Sequence, residues 1–222
     1  MIKAVIFDIG GPINDETEQE RLFDDAALAA ARKIRDISAE EYVDICERVV
    51  HSFAPRAYRA ILWELAHRDQ AIFEELCAGV RAAGFERFNM RPEIPALLKS
   101  LAGKYRLGIA ANSDEQMLMH FRRAGIFDHF KSAVTGGMVG MHKPNLHYFE
   151  LVLTELGVSE EEAVMVGDRI DCDVVPAHTL GMNTVRLRVG RHSKQEPRMP
   201  SEVPHAEIAA ISELPDVLAQ WD

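Results

Sequence analysis

Apolar positions follow two different rhythms along this chain. Near the start, Lys3–Asp8 holds the unbroken apolar run AVIF and closes on an acid. A short continuous run suits a strand buried on both faces of a parallel sheet, with the acid at its carboxyl end. Gly10-Gly11 then breaks the pattern. From about Asp15 to Arg91 the spacing changes. The segments ERLFDDAALAAARKIRD, SAEEYVDICERVVHSF and AYRAILWELAHRDQAIFEELCAGVRAAGF carry apolar residues three and four positions apart, the period of an amphipathic helix. Ser38, with Glu41 three residues on, is a capping-box start. No strand pattern interrupts this stretch, so residues 15–91 are expected to form an all-helical insert.

After Arg91-Pro92, strands and helices alternate. EIPALLKSLAGK reads as a helix ending near Gly103, YRLGIAAN as a strand, DEQMLMHFRRAGI as a helix and SAVTG as a short strand. PNLHYFELVLTELG follows as a helix, EEAVMVGD as a strand ending in an acid, and DCDVVPAHTLG as a helix with Gly181 at its end. NTVRLRV is a strand, a proline-rich loop comes next, and AEIAAI and ELPDVLAQW close the chain as strand and helix. Alternation of this kind predicts an α/β fold whose parallel sheet is covered on both faces. The expected domains are residues 1–14 with 92–222 as the α/β core, and 15–91 as the helical insert. Ligands of such sheets bind beyond the carboxyl ends of the strands, where Asp8, Asn112 and Asp168 all fall.

Bulk composition narrows the function. The 222 residues allow one large domain or a core with a smaller insert. A formal net charge of −10 argues against nucleic acid or an acidic membrane as partner. A negatively charged substrate would then need a local cation or lysine. No apolar run is long enough to span a bilayer, and MIKAVIFDIG is too short and too quickly charged for a signal peptide. Cys46, Cys77 and Cys172 are scattered and form no C-x-x-C, so a reducing cytoplasm is the expected compartment.

The chemistry centres on two acids that end two apolar strands far apart in sequence, Asp8 and Asp168. Adjacent strands would bring the carboxylates together, which is costly unless a cation or a proton joins them. An oxygen-rich setting of this kind favours Mg²⁺. Lys143, in GGMVGMHKPNLHYF, precedes a proline and a helix start, where it would hold a phosphate or balance the acids. His142 and His178 have a spacing that fits no metal set.

FDIGGPIND, YRLGIAANSD, VGMHKPN and VGDRIDCD resemble, in order and spacing, the four motifs of the haloacid dehalogenase-like (HAD) superfamily of hydrolases. The resemblance covers nearly the whole chain. It implies a Rossmannoid three-layer core with a helical cap between the first and second motifs. It also implies a Mg²⁺-dependent phosphatase that acts on a small organic phosphate through an aspartyl-phosphate. Asp8 would be the nucleophile, Lys143 would neutralise it and the phosphoryl oxygens, and Asn112, Ser113 and Lys143 would meet the substrate. Asp8, Asp168 and the backbone carbonyl of Gly10 would hold the metal, with Asp173 supporting it through water or through the ligands themselves.

This sequence departs from the family pattern at three points, one of them Pro12, where a small or β-branched residue is usual four positions after the nucleophile. Gly10 stands where family phosphatases carry the acid that protonates the leaving oxygen and later activates water. Ala111 stands where a Ser or Thr touches the phosphate. Asp15 and Glu16, just past the first motif, are the candidates for a replacement base. Two further readings stay open. One is a non-catalytic relative that binds a phosphorylated ligand or a protein. The other is a 2-haloacid dehalogenase, which also lacks the second acid but has no use for the metal-binding GD of the fourth motif. Such an enzyme would want a cap arginine, with Arg21, Arg32, Arg35 and Arg48 available.

Overall fold

The apolar runs become the centre of a parallel sheet. The computed structural model describes residues 1–221. In chain order the elements are β1 (Ala4–Phe7), the helices α1 (Thr17–Ala31), α2 (Ala39–His51), α3 (Ala57–Leu65), α4 (Gln70–Ala83) and α5 (Ile94–Ala102), then β2 (Arg106–Ala111) and α6 (Met117–Arg123). They continue with β3 (Phe130–Thr135), α7 (Gly136–Val139), α8 (Leu146–Leu156), β4 (Ala163–Gly167), α9 (Val175–Leu180), β5 (Asn183–Leu187), β6 (Ala206–Ile208) and α10 (Leu214–Leu218). The chain divides into two compact units. One comprises Met1–Asp15, Phe88–Val189 and the segment from Pro197 onward; the other comprises Glu16–Arg87 with Gly190–Glu196.

In the first unit six strands lie in the order β3-β2-β1-β4-β5-β6, all parallel. β1 and β4 are buried along their whole length, as their unbroken apolar runs require. Successive side chains serve opposite faces. Val5 and Phe7 join Ile94, Leu98, Phe121 and Leu214 from α5, α6 and α10, while Ala4 and Ile6 join Tyr148, Phe149 and Val152 from α8 and Ala177 from α9. The result is a three-layer α/β unit. The order of strand succession reverses between β1 and β4, the place where doubly wound sheets open a crevice at their carboxyl edge.

Three elements differ from their sequence patterns. The last strand stops at Ile208, because the Glu213 carboxylate accepts from the N–H groups of Ala209 and Ala210 and turns the chain into a short helix. The helix after Asp168 opens with a widened π-type turn at Ile170–Val174 before α9 begins. The long segment AYRAILWELAHRDQAIFEELCAGVRAAGF is two helices, split where His67 and Arg68 adopt left-handed φ values of 50° and 65°. Asp69 restarts the chain as a helix cap, its carboxylate accepting from the Ile72 N–H at 3.0 Å.

The second unit is built of α1–α4 around Phe23, Ala27, Ile45, Ile61, Leu76 and their neighbours. Ser38 caps α2 by accepting from the Glu41 N–H, as the capping pattern predicts. Residues 190–196, expected with the core, group instead with these helices. The reason is Arg191. Its guanidinium lies over the Phe23 and Tyr58 rings and donates to Asp24 at 2.7 Å, and its N–H donates to Glu20. Among the described residues no helix is long and apolar enough to cross a membrane.

His205 fastens the entry to β6. Its Nδ1 accepts from the Thr184 N–H at 3.2 Å, and its own N–H donates to Thr184 Oγ1 at 3.1 Å. Burial, followed by the nearby His178, holds the His205 pKa below its ordinary 6.5. The folded state therefore prefers a neutral ring, and the unfolded chain takes up the extra proton first. Stability contributed by His205 is complete above pH 6.5 and is lost as pH falls through its lower folded value. Thermal unfolding followed from about pH 7.5 to about 5.5 should show a falling midpoint. The fall should be smaller in His205→Asn, whose amide oxygen accepts the same bond without titrating.

Candidate active site

Strand ends bring the charged residues together. Asp8 follows β1 and Asp168 follows β4, and these two strands are hydrogen-bonded neighbours. Asp173 reaches the same point from the π-type turn. One carboxylate oxygen from each of the three acids falls within 4.8 Å of the others. Lys143 enters from the loop between α7 and α8. Its Nζ is 2.5 Å from Asp173 Oδ1 and 3.0 Å from Asp8 Oδ1. The Lys143 and Asp173 side chains are 2% and 1% exposed, whereas Asp8 keeps 13%. Asp8 Oδ1 also accepts from the Ile9 N–H at 2.7 Å. Among the described residues no hydrogen bond reaches its other oxygen, Oδ2.

The lysine is aimed by its main chain. Asn112, just past β2, accepts from the Lys143 N–H at 2.7 Å and donates to the Lys143 carbonyl at 3.0 Å. Both ends of the Asn112 amide are thereby engaged, so this residue positions Lys143. Tyr148 of α8 fixes the strand end beneath. Its hydroxyl accepts from the Ala111 N–H and lies 3.0 and 2.7 Å from the carbonyl oxygens of Ala111 and Val134, tying β2 to β3. Ser113 Oγ is enclosed and has no hydrogen-bond partner among the described residues.

Two glycines make the close approaches possible. At Gly11, with φ +76°, an added Cβ would sit 2.8 Å from Asp168 Cβ. At Gly167, the last residue of β4, an added Cβ would fall inside the Asp173 carboxylate. The β1 loop is held from outside by Arg91, whose Nε donates to the Gly11 carbonyl at 2.6 Å. Gly10 bridges to Asn14, and the Asn14 amide oxygen accepts from the Asn89 N–H at 2.6 Å. Asp15 stands 3.7 Å from Arg91. Glu16, in the helical unit, accepts from Gln19 at 3.4 Å.

Electrostatics follow from burial. Burial alone would strip Lys143 of its proton, but Asp173 and Asp8 reverse this and hold its pKa above the ordinary lysine value. Lys143 is therefore an ammonium. Burial, opposed by Lys143 and reinforced by Asp8, pushes the Asp173 carboxyl up to about 6. Cys172 is also buried and its pKa is raised, which makes it a poor nucleophile. Three acids thus face one buried lysine, an arrangement that leaves negative charge for a further cation.

Comparison with known proteins agrees with this geometry. The model of the haloacid dehalogenase-like hydrolases matches residues 2–181. The chain belongs to this family. Across 233 aligned residues it is 31% identical to a glyceraldehyde 3-phosphate phosphatase of Methanopyrus kandleri, spanning 99% of this chain and 98% of the relative. Among solved structures, a HAD phosphatase from Thermococcus onnurineus superposes with a TM-score of 0.62 at 27% identity, over 98% of each chain. A 2-haloacid dehalogenase from Pseudomonas syringae superposes with a TM-score of 0.60 at 25% identity, over the whole of each chain.

Within the family frame, the structure gathers Asp8, Lys143, Asp168 and Asp173 at one point, and Asn112 joins them only through the Lys143 main chain. Sequence patterns did not single out Tyr148, which sits in an apolar helical repeat, or Arg186, which sits in a strand. Both are fully buried. A polar residue at an apolar-periodic position is the one signal that would have marked them. Tyr148→Phe removes a hydroxyl that serves three main-chain groups. It is expected to lower unfolding free energy by about 1–3 kcal/mol, read by denaturant titration. Gly167→Ala should displace the Asp173 carboxylate and lower the thermal unfolding midpoint, read by calorimetry of the metal-free protein.

Proposed function

We propose that this protein is a phosphoric monoester hydrolase for small organic phosphates, with Asp8 as the nucleophile. The observation that carries the reading is the Lys143 ammonium shared by Asp8 and Asp173, with Asp168 beside them. Mg²⁺ fits the donor set: the ligand atoms are all oxygen, they lie close together, and three acids outnumber the lysine. Asp8, Asp168 and Asp173 would hold it, with the Gly10 carbonyl. When bound, the ion offsets the negative charge of the phosphoryl group.

The chain's own groups supply the rest. Asp8 Oδ2 forms a bond to phosphorus as the bond from phosphorus to the leaving oxygen breaks, giving an aspartyl-phosphate. Lys143 neutralises Asp8 Oδ1 and the phosphoryl oxygens, and Asn112 keeps it in place. Water then cleaves the acyl-phosphate and frees Asp8. Both steps move a proton, and Gly10 offers none. Asp15 lies near Arg91, and Glu16 is engaged with Gln19. An acyl or aryl phosphate, whose leaving oxygen needs little protonation, should therefore react faster than an alkyl phosphate. Since the Methanopyrus relative carries the name of a triose-phosphate phosphatase, glyceraldehyde 3-phosphate is the first alkyl phosphate to test. The three unpaired cysteines support a reducing compartment such as the cytoplasm.

A second reading, binding of a phosphorylated ligand without turnover, is favoured by one observation: Ser113 Oγ is enclosed and Ala111 has no hydroxyl. The three-acid cluster counts against the dehalogenase reading, which has no use for a metal.

Intact-protein mass spectrometry with Mg²⁺ and acetyl phosphate decides between the first two. Wild type should gain one phosphoryl group or release phosphate steadily, and Asp8→Asn should do neither. No adduct and no turnover in wild type would favour the binding reading. Gly10→Asp should raise turnover of an alkyl phosphate by about 10²-fold or more if proton transfer is limiting.

A further inference from the structure

Among the described residues Arg186 is the largest fully buried side chain. It lies in β5 between the apolar residues Val185 and Leu187. Burying a guanidinium is expensive, and an apolar side chain of similar size would stabilise a strand interior as well or better. The position of its partners accounts for the cost. In the sheet register Arg186 stands beside Gly167 of β4 on one side and Glu207 of β6 on the other. Its Nη1 lies 3.2 Å from Glu207 Oε2, and its Nε donates to the Asp168 carbonyl at 3.3 Å. Glu207 is itself steadied by Arg188, 3.2 Å from its other oxygen. The guanidinium therefore ties the edge strand to the one peptide from which the Asp168 carboxylate springs. From the β1 side, Gly11 approaches Asp168 closely enough that even a methyl group would collide. The main chain at Asp168 is thus held from β5, while its side chain packs against the backbone at Gly11.

We propose that Arg186 is a positioning residue that sets the Asp168 main chain so that its carboxylate meets a divalent cation. The proposal rests on the phosphatase reading for its choice of Mg²⁺. Carboxylate ligands tolerate little displacement, and groups that orient ligands typically govern 10–100-fold in metal affinity. An alternative role has the opposite sign. If Arg186 served only as a positive counterweight to the acids, its removal would tighten cation binding.

Calorimetric titration of the whole protein with Mg²⁺ separates these. The variants are Arg186→Met, which loses bond and charge; Arg186→Lys, which keeps the charge but not the Nε bond; and Glu207→Gln, which keeps the guanidinium but weakens its anchor. Metal-free thermal unfolding checks that each is folded. Positioning predicts about tenfold or greater loss of affinity in Arg186→Met and Arg186→Lys, and a smaller loss in Glu207→Gln. Unchanged or tighter binding in the folded Arg186 variants overturns the proposal. If Arg186→Met does not fold, Arg186→Lys and Glu207→Gln decide, and wild-type affinity in both overturns it. Wild type that takes up no Mg²⁺ overturns this proposal and the metal-dependent reading together. Wild type that binds Mg²⁺ but neither forms a phosphoenzyme nor releases phosphate overturns the phosphatase reading alone, because the affinity comparison still stands.

Discussion

A buried ammonium has to be surrounded by opposite charge, and in this protein that requirement falls on Lys143. Its side chain is almost wholly enclosed, 2.5 Å from Asp173 and 3.0 Å from Asp8. Removing Lys143 would leave buried carboxylates without their counter-charge, which typically costs more than the pair contributes. The arrangement holds only if residues from four separate stretches arrive together. Asp8 comes from the end of β1, Asp173 from the turn after β4, Lys143 from the loop before α8, and Asn112 from the end of β2. Parallel strands meeting at the reversal of the sheet deliver the first two. The amide of Asn112 and the hydroxyl of Tyr148 fix the rest, through main-chain bonds that do not touch the charges themselves.

The same requirement explains the glycines. Gly11 and Gly167 lie within contact of Asp168 and Asp173 respectively. Each acid is packed against backbone because a side chain in either place would occupy the space of a carboxylate. Charge density at the site is thus achieved by thinning the chain around it.

Much of this was legible in the sequence. Continuous apolar runs ending in acids, AVIFD and VMVGD, are local signals, and the sheet places them side by side. Lys143 and Asp173 were legible through motif order. What stayed hidden is tertiary. Residues 190–196 read as a polar loop, yet Arg191 finds its partners in Asp24, Phe23 and Tyr58, some 167 positions away in the case of Asp24. The division between α3 and α4 rests on two non-glycine residues in left-handed conformation, which composition does not announce. The motif resemblance places Asn112 against the substrate, and the tie of both ends of its amide to the Lys143 main chain is a tertiary fact that no motif announces. Arg186 drew no notice within the strand NTVRLRV, and its side chain is fully enclosed.

Gly10 tests how separable the parts of such a site are. The hydrogen bonds and ion pairs that organise Asp8, Lys143, Asn112 and Asp173 run through no side chain at position 10. The Asp173 carboxylate, for instance, is anchored by the Arg169 N–H at 3.0 Å as well as by Lys143. Loss of an acid at position 10 therefore leaves the charge network intact, and the backbone carbonyl there is independent of the side chain. Charge stabilisation and proton transfer are borne by different atoms, so one can be weakened without the other. On the function proposed above, such a site would keep its hold on a phosphoryl group while favouring leaving groups that depart as stable anions over those that need a proton.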